Sequence, residues 1–426
     1  MYMTKLSSIA DYVTDKISSN DIALREYVTT DCILQNKKGR EIATNLPPQS
    51  CCLTRYQHGD VLIANIRPYL KKVWFADIDG GASSDVLVFR VKEGHSPSFL
   101  YAVLLQDSFF DYVMQGAKGS KMPRGDKEQI LRYEMPTLSC SEESIGTFFL
   151  NLDKKIRLNE QINQNLEAMA KQLYDYWFVQ FDFPNEEGKP YKSSGGEMVW
   201  NEKLKRKIPN EWDNCKLKDF INLFDSKRIP LSSKDREERK GNYPYYGATG
   251  IMDYVNEYIF DGDYILLAED GSTSDSKGFP IVQYIWGKNW VNNHAHIILP
   301  KNEQYLMFTY QMLRSIPAKQ IETGSIQKKI SQENLCEYNM VLPNSILIEK
   351  YESIISPLWE KRKLCIEEIN ALIKQRDELL PLLMNGQASV NSDLSACLRT
   401  STNKICSSIL GTGTFIFLIS ENTIST

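Results

Sequence analysis

The sequence predicts a mixed α/β (α+β) fold, in which two similar globular domains are separated by two long antiparallel pairing helices as a pseudo-two-fold tandem repeat. Three observations lead to this prediction. Two long segments carry an apolar stripe at helical spacing. Short strand-like runs fill the chain before and between these segments. Several short motifs recur in the same order roughly 200 residues later.

The first helical segment begins at Ile145 and ends near Tyr176. Its apolar side chains recur at intervals of three or four residues, or their sum, and neither proline nor glycine follows Gly146 within it. Ser141 and Glu142 precede the stripe and supply a helix cap and a first-turn carboxylate. At about 1.5 Å per residue, this helix would be roughly 50 Å long.

The second helical segment runs from Ile348 to Leu383 with the same spacing of apolar residues. Pro357 lies near its start, where it would bend the helix, and Pro381 and Gly386 are expected to mark its end. Two helices of matched length with heptad-like stripes can bury each other's apolar face. We therefore expect the two segments to pair.

Four short apolar runs are bounded by Gly, Asn, Asp or Pro and predict strands. They are Val61 to Ile63, Val86 to Phe89, Tyr264 to Leu267 and Ala295 to Leu299. The regions before and between the helices are therefore mixed in structure.

The two halves of the chain resemble each other. Residues 59–63, Gly-Asp-Val-Leu-Ile, recur as Gly-Asp-Tyr-Ile-Leu at 262–266, and the Gly-Ser pair at 119–120 recurs at 324–325. Because the matches are collinear, we interpret the chain as a duplicated module of one globular domain and one long helix. The predicted boundaries are 1–140 for the first globular domain, 141–180 for the first helix, 181–212 for a linker, 213–343 for the second globular domain, 344–385 for the second helix and 386–426 for a poorly ordered tail.

The composition is that of an ordinary globular protein. The 426 residues are 42% hydrophobic, 11% aromatic and 24% charged, with a formal net charge of −4, so nucleic-acid contacts would have to be concentrated on particular loops. Nine cysteines without a C-x-x-C pair predict reduced thiols rather than zinc ligands. The start of the chain lacks the features of a signal peptide, and no apolar run is long enough for a membrane span. These features predict a cytoplasmic protein without a membrane partner.

The sequence offers no convincing catalytic motif. A phosphate-binding P-loop is missing from it. Asp270, Asp275 and Lys277 could be drawn as a metal-dependent nuclease site, but they lie together in one Gly- and Ser-rich stretch. His294 and His296 alternate at strand spacing without an evident third ligand, so we expect hydrogen-bonded histidines and no metal site. The sequence therefore predicts a non-catalytic protein.

Basic residues cluster on loops at matching places in the two halves. Glycine-rich loops let the backbone approach a phosphate, and two similar domains at a fixed separation suit a bipartite DNA site. The alternative is an ordinary solvated surface. The predicted DNA-binding residues are Arg67, Lys71, Lys118, Lys121, Arg124, Lys127, Lys319, Gln327, Lys328 and Lys329.

An aromatic block follows the first helix and has two interpretations. It could be a hydrophobic plug that packs the helix on its own domain, or an exposed patch on which a partner protein docks. The predicted partner-binding residues are Tyr174, Trp177, Phe178, Phe181 and Phe183.

Several stretches resemble the specificity subunits of type I restriction-modification systems. They are residues 152–159, 166–167 and 174–184, the connection 188–212, the strand motif 292–296 and the loop 324–327. The match covers nearly residues 1 to 390. The residues after about Ser389 depart from the family pattern, because such subunits normally stop soon after the second helix.

The resemblance implies that each globular domain is a target-recognition domain that reads one half of a split, asymmetric site in double-stranded DNA. It also implies that the long helices set the gap and seat two modification (methyltransferase) subunits, which restriction/translocase subunits join for cleavage. The partners would carry S-adenosylmethionine, ATP and Mg²⁺, and this chain would bind none of them. The alternative is a stand-alone DNA-binding or coiled-coil scaffolding protein without methyltransferase partners.

Overall fold

The computed structural model describes residues 3–47, 49–136, 141–324 and 328–389. These residues form two compact units. Unit 1 consists of the described residues within Met1–Glu160 and Glu367–Thr426. Unit 2 consists of the described residues within Gln161–Ile366. Each unit thus combines strands and short helices with part of each long helix. The prediction for the tail beyond residue 389 falls outside the described residues.

The elements of the first part of the chain belong to unit 1, apart from the end of the fifth helix. The strands are β1 Met3–Lys5, β2 Ala10–Tyr12, β3 Lys16–Ser18, β4 Tyr27–Val28, β5 Cys52–Tyr56, β6 Val61–Ala64, β7 Val73–Phe75, β8 Gly80–Ala82, β9 Val86–Val91 and β10 Glu134–Pro136. The helices are α1 Leu6–Ile9, α2 Pro97–Leu104, α3 Asp107–Gln115, α4 Lys127–Leu131 and α5 Glu142–Tyr174.

Unit 1 is built on an antiparallel sheet with the strand order β2-β9-β6-β7. A second sheet has the order β3-β5-β8-β4, in which β4 and β8 are parallel, and β1 pairs with β10. The central strand β6 is buried on both faces. Val61 and Ile63 pack in the cluster that contains the helices, whereas Leu62 packs with Tyr56 and Trp74 in the cluster beside the second sheet. A strand covered on both sides explains why this run is continuously apolar.

Unit 2 contains the remaining strands and most of the remaining helices. The strands are β11 Met198–Asn201, β12 Arg206–Pro209, β13 Asp213–Lys216, β14 Ile221–Leu223, β15 Lys240–Tyr246, β16 Ile251–Val255, β17 Phe260–Asp261, β18 Tyr264–Ala268, β19 Val282–Ile285, β20 Lys288–Val291, β21 Ala295–Pro300, β22 Glu322–Thr323, β23 Lys329–Ile330 and β24 Asn339–Leu342. The helices are α6 Leu217–Phe220, α7 Ser233–Glu238, α8 Leu306–Ser315, α9 Gln332–Glu337 and α10 Ser345–Met384.

The strand order of unit 1 recurs in unit 2. The sheet β14-β21-β18-β19 corresponds to β2-β9-β6-β7, and the pair β13 and β24 corresponds to β1 and β10. A further sheet has the order β16-β15-β20-β17. The four predicted strands are confirmed as β6, β9, β18 and β21. The likeness between the halves therefore extends from short motifs to sheet topology.

Both long helices are present. The Ser144 backbone N–H donates to Ser141 Oγ over 3.4 Å, which is the predicted cap of α5. Helix α10 spans 40 residues and continues past Pro381 to Met384, so the prediction that this proline marks its end is wrong. Gly386, the other predicted end signal, lies just after the helix with a φ of +69°, as expected. Leu383 and Met384 are buried in the core of unit 1, and this packing offsets the hydrogen bond that proline removes. None of the described helices is long and apolar enough to cross a membrane.

Within each unit, the segments of α5 and α10 run antiparallel. In unit 1, Asn159 donates to Glu368 over 2.8 Å, and Arg376 lies 3.5 Å from Asp153. In unit 2, Arg362 donates to Glu167 over 3.2 Å, and the Tyr351 hydroxyl donates to the backbone oxygen of Ala170 over 3.1 Å. In each pair of contacts a later residue of α5 meets an earlier residue of α10.

The aromatic block lies in the core of unit 2. Tyr174, Trp177, Phe178 and Phe181 are only 4–5% exposed and Phe183 is 9% exposed. These side chains pack around other core aromatics, such as Phe178 against Phe308 at a centroid distance of 4.9 Å. The prediction of an exposed docking patch is therefore corrected, because burial makes the block a hydrophobic plug.

Candidate nucleic-acid interface

Residues 118–124 of unit 1, called basic loop 1, form a short hairpin beside the end of β6. Backbone hydrogen bonds of 2.9 and 3.0 Å join Lys118 and Arg124 in both directions. The Arg67 N–H donates to the Pro123 oxygen over 2.8 Å, which fixes the hairpin to the residues that follow β6. Gly119 has a φ of +99°, a conformation that favours glycine. Backbone hydrogen bonds therefore hold the predicted basic loop at the edge of the sheet.

Basic loop 2, of which residues 322–324 and 328–330 are described, occupies the corresponding place in unit 2. Strands β22 and β23 form its stem, Lys329 pairs with Asp270 after β18, and the Ile330 N–H donates to the Glu269 oxygen over 2.8 Å. Gly324 has a φ of +89°, like Gly119 in basic loop 1. The matching position of the two loops agrees with the alignment of their Gly-Ser pairs. Gln327 lies outside the described residues.

The predicted basic residues of unit 1 differ in how far they are neutralised by neighbouring acids. Among the described residues, Arg67, Lys121 and Lys127 are exposed and have no ion pair. Two others are exposed but paired, Lys118 with Asp126 at 3.1 Å and Arg124 with Asp85 at 3.0 Å. Because exposed ion pairs contribute little to stability, these two residues can exchange a carboxylate for a phosphate.

Lys71 departs from the predicted role. Its ammonium lies 2.8 Å from Asp107, which also pairs with the buried Lys37 at 2.9 Å. Burial would raise the pKa of Asp107, but hydrogen bonds from Lys71 and Lys37 outweigh it and lower that pKa. Lys71 also has a left-handed φ of +50°, as does Arg67 at +53°. Lys71 therefore holds the loop that presents Arg67, rather than standing free for DNA.

In unit 2 the predicted basic residues are all exposed. Lys319 has no ion pair within the described part of the chain. Lys328 pairs with Glu322 and Lys329 with Glu269, both at 3.1 Å. The side chains are more than half exposed, so their ammonium groups remain open to a second, anionic partner.

A buried histidine in β21 holds the end of basic loop 2 through a hydrogen bond to β23. His296 is fully buried; its Nδ1 lies 2.6 Å from Asp225 Oδ2, and its Nε2 donates to the Ile330 backbone oxygen over 2.8 Å. Gln332 also donates to Asp225 over 2.6 Å. Each ring nitrogen of His296 thus has an oxygen within hydrogen-bond distance. These residues clamp β23 to the sheet, a role that the sequence did not reveal.

The clamp could be mistaken for a metal site. Ligand atoms of Asp225, Glu269 and His296 lie within 4.8 Å of one another. However, Arg228 lies 2.8 Å from Glu269 and 3.4 Å from Asp225, and Lys329 also pairs with Glu269. Burial would raise the pKa of Asp225, but hydrogen bonds from His296, Ile297 N–H and Gln332 lower it overall. The carboxylates are thus already matched by protein cations.

The other candidate chemical groups have structural partners. Asp275 accepts backbone N–H groups of Lys277 and Phe279, both over 2.9 Å, and such bonds lower the pKa of Asp275. His294 contacts Asp270 at 2.6 Å and is half exposed. Asp275 and Lys277 therefore form a turn rather than a paired acid and base, and the two histidines have separate partners.

Comparisons with known proteins point to one family. Residues 209–372 match the family model described as the type I restriction modification DNA specificity domain. The type I restriction enzyme MjaIX specificity subunit of Methanocaldococcus jannaschii is 23% identical over 398 residues, which cover 88% of this chain and 86% of that protein. The HindI specificity subunit of Haemophilus influenzae is 22% identical over 456 residues, with 90% and 98% covered.

The fold is also similar to a solved structure. The crystal structure of the type I restriction-modification system S subunit from M. genitalium matches with a TM-score of 0.58 at 16% identity. The match covers 90% of this chain and 96% of that one. At this identity the comparison shows a shared fold.

Proposed function

This chain belongs to the family of type I restriction-modification specificity subunits, and from that premise we propose that it recognises a bipartite, asymmetric site in double-stranded DNA. In this role the chain carries no catalysis of its own. Each unit reads one half-site, and the long helices set the distance between the half-sites. Two modification subunits dock on the chain, and restriction/translocase subunits join them for cleavage in the cytoplasm.

The observation that carries this proposal is the matching position of the two basic loops. Each lies beside the residues that follow the corresponding central strand, β6 or β18, and each presents exposed cations. Phosphate contacts position a protein on DNA, whereas contacts to base edges supply sequence information. Two copies of one framework with different loop residues suit a site whose halves differ in sequence.

The chemistry of modification belongs to the partners under this proposal. S-adenosylmethionine would be bound by the modification subunits, and ATP with Mg²⁺ by the restriction subunits. We assign recognition to the described residues of this chain. The acidic and histidine side chains at the sheet edge of unit 2 already have partners in Arg228, Lys329 and backbone groups. The clamp residue His296 holds basic loop 2 in place for that recognition.

The proposal is tested by sequencing adenine methylation at single-molecule resolution in cells with and without this gene, with the modification subunit supplied in both. A split motif that is methylated only when the gene is present is the expected result. Replacing residues 1–140 by those of a relative should then change one half of the motif, and replacing residues 213–343 should change the other half. Unchanged methylation with the chain expressed and soluble would favour a stand-alone DNA-binding or scaffolding protein.

A further inference from the structure

The two units share a framework but differ in the second sheet, in the length of the strand that runs parallel to its neighbour. In unit 1 this strand is the two-residue β4, which lies beside β8. In unit 2 it is the seven-residue β15, whose end pairs with β20 through Tyr245 and Trp290. Strand β15 then folds back as β16. Unit 2 therefore carries a two-stranded ribbon, residues 240–255, that has no counterpart of that length at β4.

The turn of this ribbon lies at the same sheet edge as basic loop 2. The side-chain amide of Gln283 in β19 donates to the backbone oxygens of Gly247 and Ala248 over 3.1 and 2.9 Å. The Asn292 N–H donates to the Tyr246 oxygen over 3.0 Å. These bonds fix residues 247–252, called the ribbon tip, beside the strand ends.

A chain of contacts continues from the ribbon tip to basic loop 2. Asn292 Oδ1 accepts the His294 N–H over 2.8 Å, and His294 contacts Asp270 at 2.6 Å. Asp270 in turn pairs through its backbone with Lys329. A continuous chain of contacts, which passes through the buried Asn292, thus links the ribbon tip to the backbone of basic loop 2 within unit 2.

The ribbon tip has a different chemistry from basic loop 2. Residues 247–252 contain no charged side chain, and their exposed members are Thr249, Ile251 at 47% and Met252 at 56%. The Gly247 N–H donates to the Gly250 oxygen over 2.8 Å and closes a tight turn. A two-stranded ribbon fits the major groove of DNA, where methyl and thioether groups can contact the thymine methyl group and a hydroxyl can bond to a base edge.

We propose that the ribbon tip enters the major groove of the half-site bound by unit 2 and determines its base sequence. This inference rests on the proposed function and deepens it. Lys328 and Lys329 hold the phosphates beside the groove, while Thr249 and Ile251 contact base edges. Because the tip is uncharged, it contributes to sequence discrimination and not to the salt dependence of binding.

The test uses the full chain in complex with its modification subunit and the double variant Thr249→Ala/Ile251→Ser. Both side chains are exposed, so the variant should fold like the parent. The matched control is Ile346→Ser, which changes an isoleucine that is 75% exposed in the first turn of α10. Methylated motifs are sequenced for all three proteins, and affinity for the parental site is measured across a salt series.

The expected result for the double variant is a loss of discrimination of roughly fivefold or more at one or two base pairs, confined to one half of the motif, with an unchanged salt slope. The control should keep the parental motif. A double variant with the parental motif, or one that loses methylation through failure to bind the modification subunit, would overturn the inference. A parental complex that methylates no split motif would overturn the proposed function instead.

Discussion

Glu352 couples the stability of unit 2 to pH. Its carboxylate, on α10, is only 7% exposed and accepts the Phe308 N–H in the first turn of α8 over 2.7 Å. The Ser356 hydroxyl donates to its other oxygen over 3.0 Å. Burial raises the pKa of Glu352 to about 7 from the ordinary value of 4.5, and these hydrogen bonds oppose the rise only in part.

The sign of the pH effect follows from proton binding. Between pH 4.5 and about 7 the folded state keeps the Glu352 proton while the unfolded state has lost it. Raising the pH through this window therefore destabilises the folded state. A pKa difference of about 2.5 corresponds to roughly 3 kcal/mol, which is fully lost above pH 7.

The substitution Glu352→Gln tests this account. Glutamine keeps an oxygen for the Phe308 N–H and offers its amide to the Ser356 hydroxyl, without a buried charge. We expect the variant to be more stable than the parent by up to about 3 kcal/mol at pH 8 and nearly equal at pH 4.5. Urea unfolding of the full chain from pH 4.5 to 8.5, with the exposed Glu349→Gln as control, measures the difference. Parallel stability curves for parent and variant would refute the reasoning.

Three further predictions concern the interface and the buried ion pairs. Lys121→Ala should weaken DNA binding by the complex uniformly across sequences and reduce the slope of log K against log salt by about 0.9, in fluorescence anisotropy titrations. His296→Gln should cost about 2 kcal/mol and accelerate hydrogen exchange at the Ile330 amide, because the clamp on β23 loses one donor. Arg376→Met should destabilise unit 1 by about 2 kcal/mol in urea unfolding, because the buried Asp153 loses its 3.5 Å partner and keeps only Arg157 at 3.9 Å and the Tyr101 hydroxyl.

Each of these predictions has a result that would contradict it. An unchanged salt slope for the lysine variant would show that Lys121 does not contact a phosphate. Exchange at Ile330 that matches the parent would show that β23 is held without the histidine. If Arg376→Met unfolds at the parental urea concentration, the pair with Asp153 contributes nothing measurable.

The sequence by itself determined the local elements and their repetition. Period-2 and period-3.6 patterns depend on neighbours in the chain, so β6, β9, β18, β21 and the bodies of both long helices could be predicted. Collinear motifs located basic loops 1 and 2 at matching positions. The positions of these strands, helices and loops follow from the composition of each segment and from the turn residues at its ends, without any long-range contact.

Only the tertiary structure decided which side chains are buried and which charges meet. The aromatic block looked equally suited to a plug or a docking patch, and packing against Phe308 made it a plug. Asp225, Glu269 and His296 are far apart in the sequence, and their clamp exists because β14, β18 and β21 are neighbours in one sheet. Such contacts depend on strand order and register, which no local pattern of residues specifies.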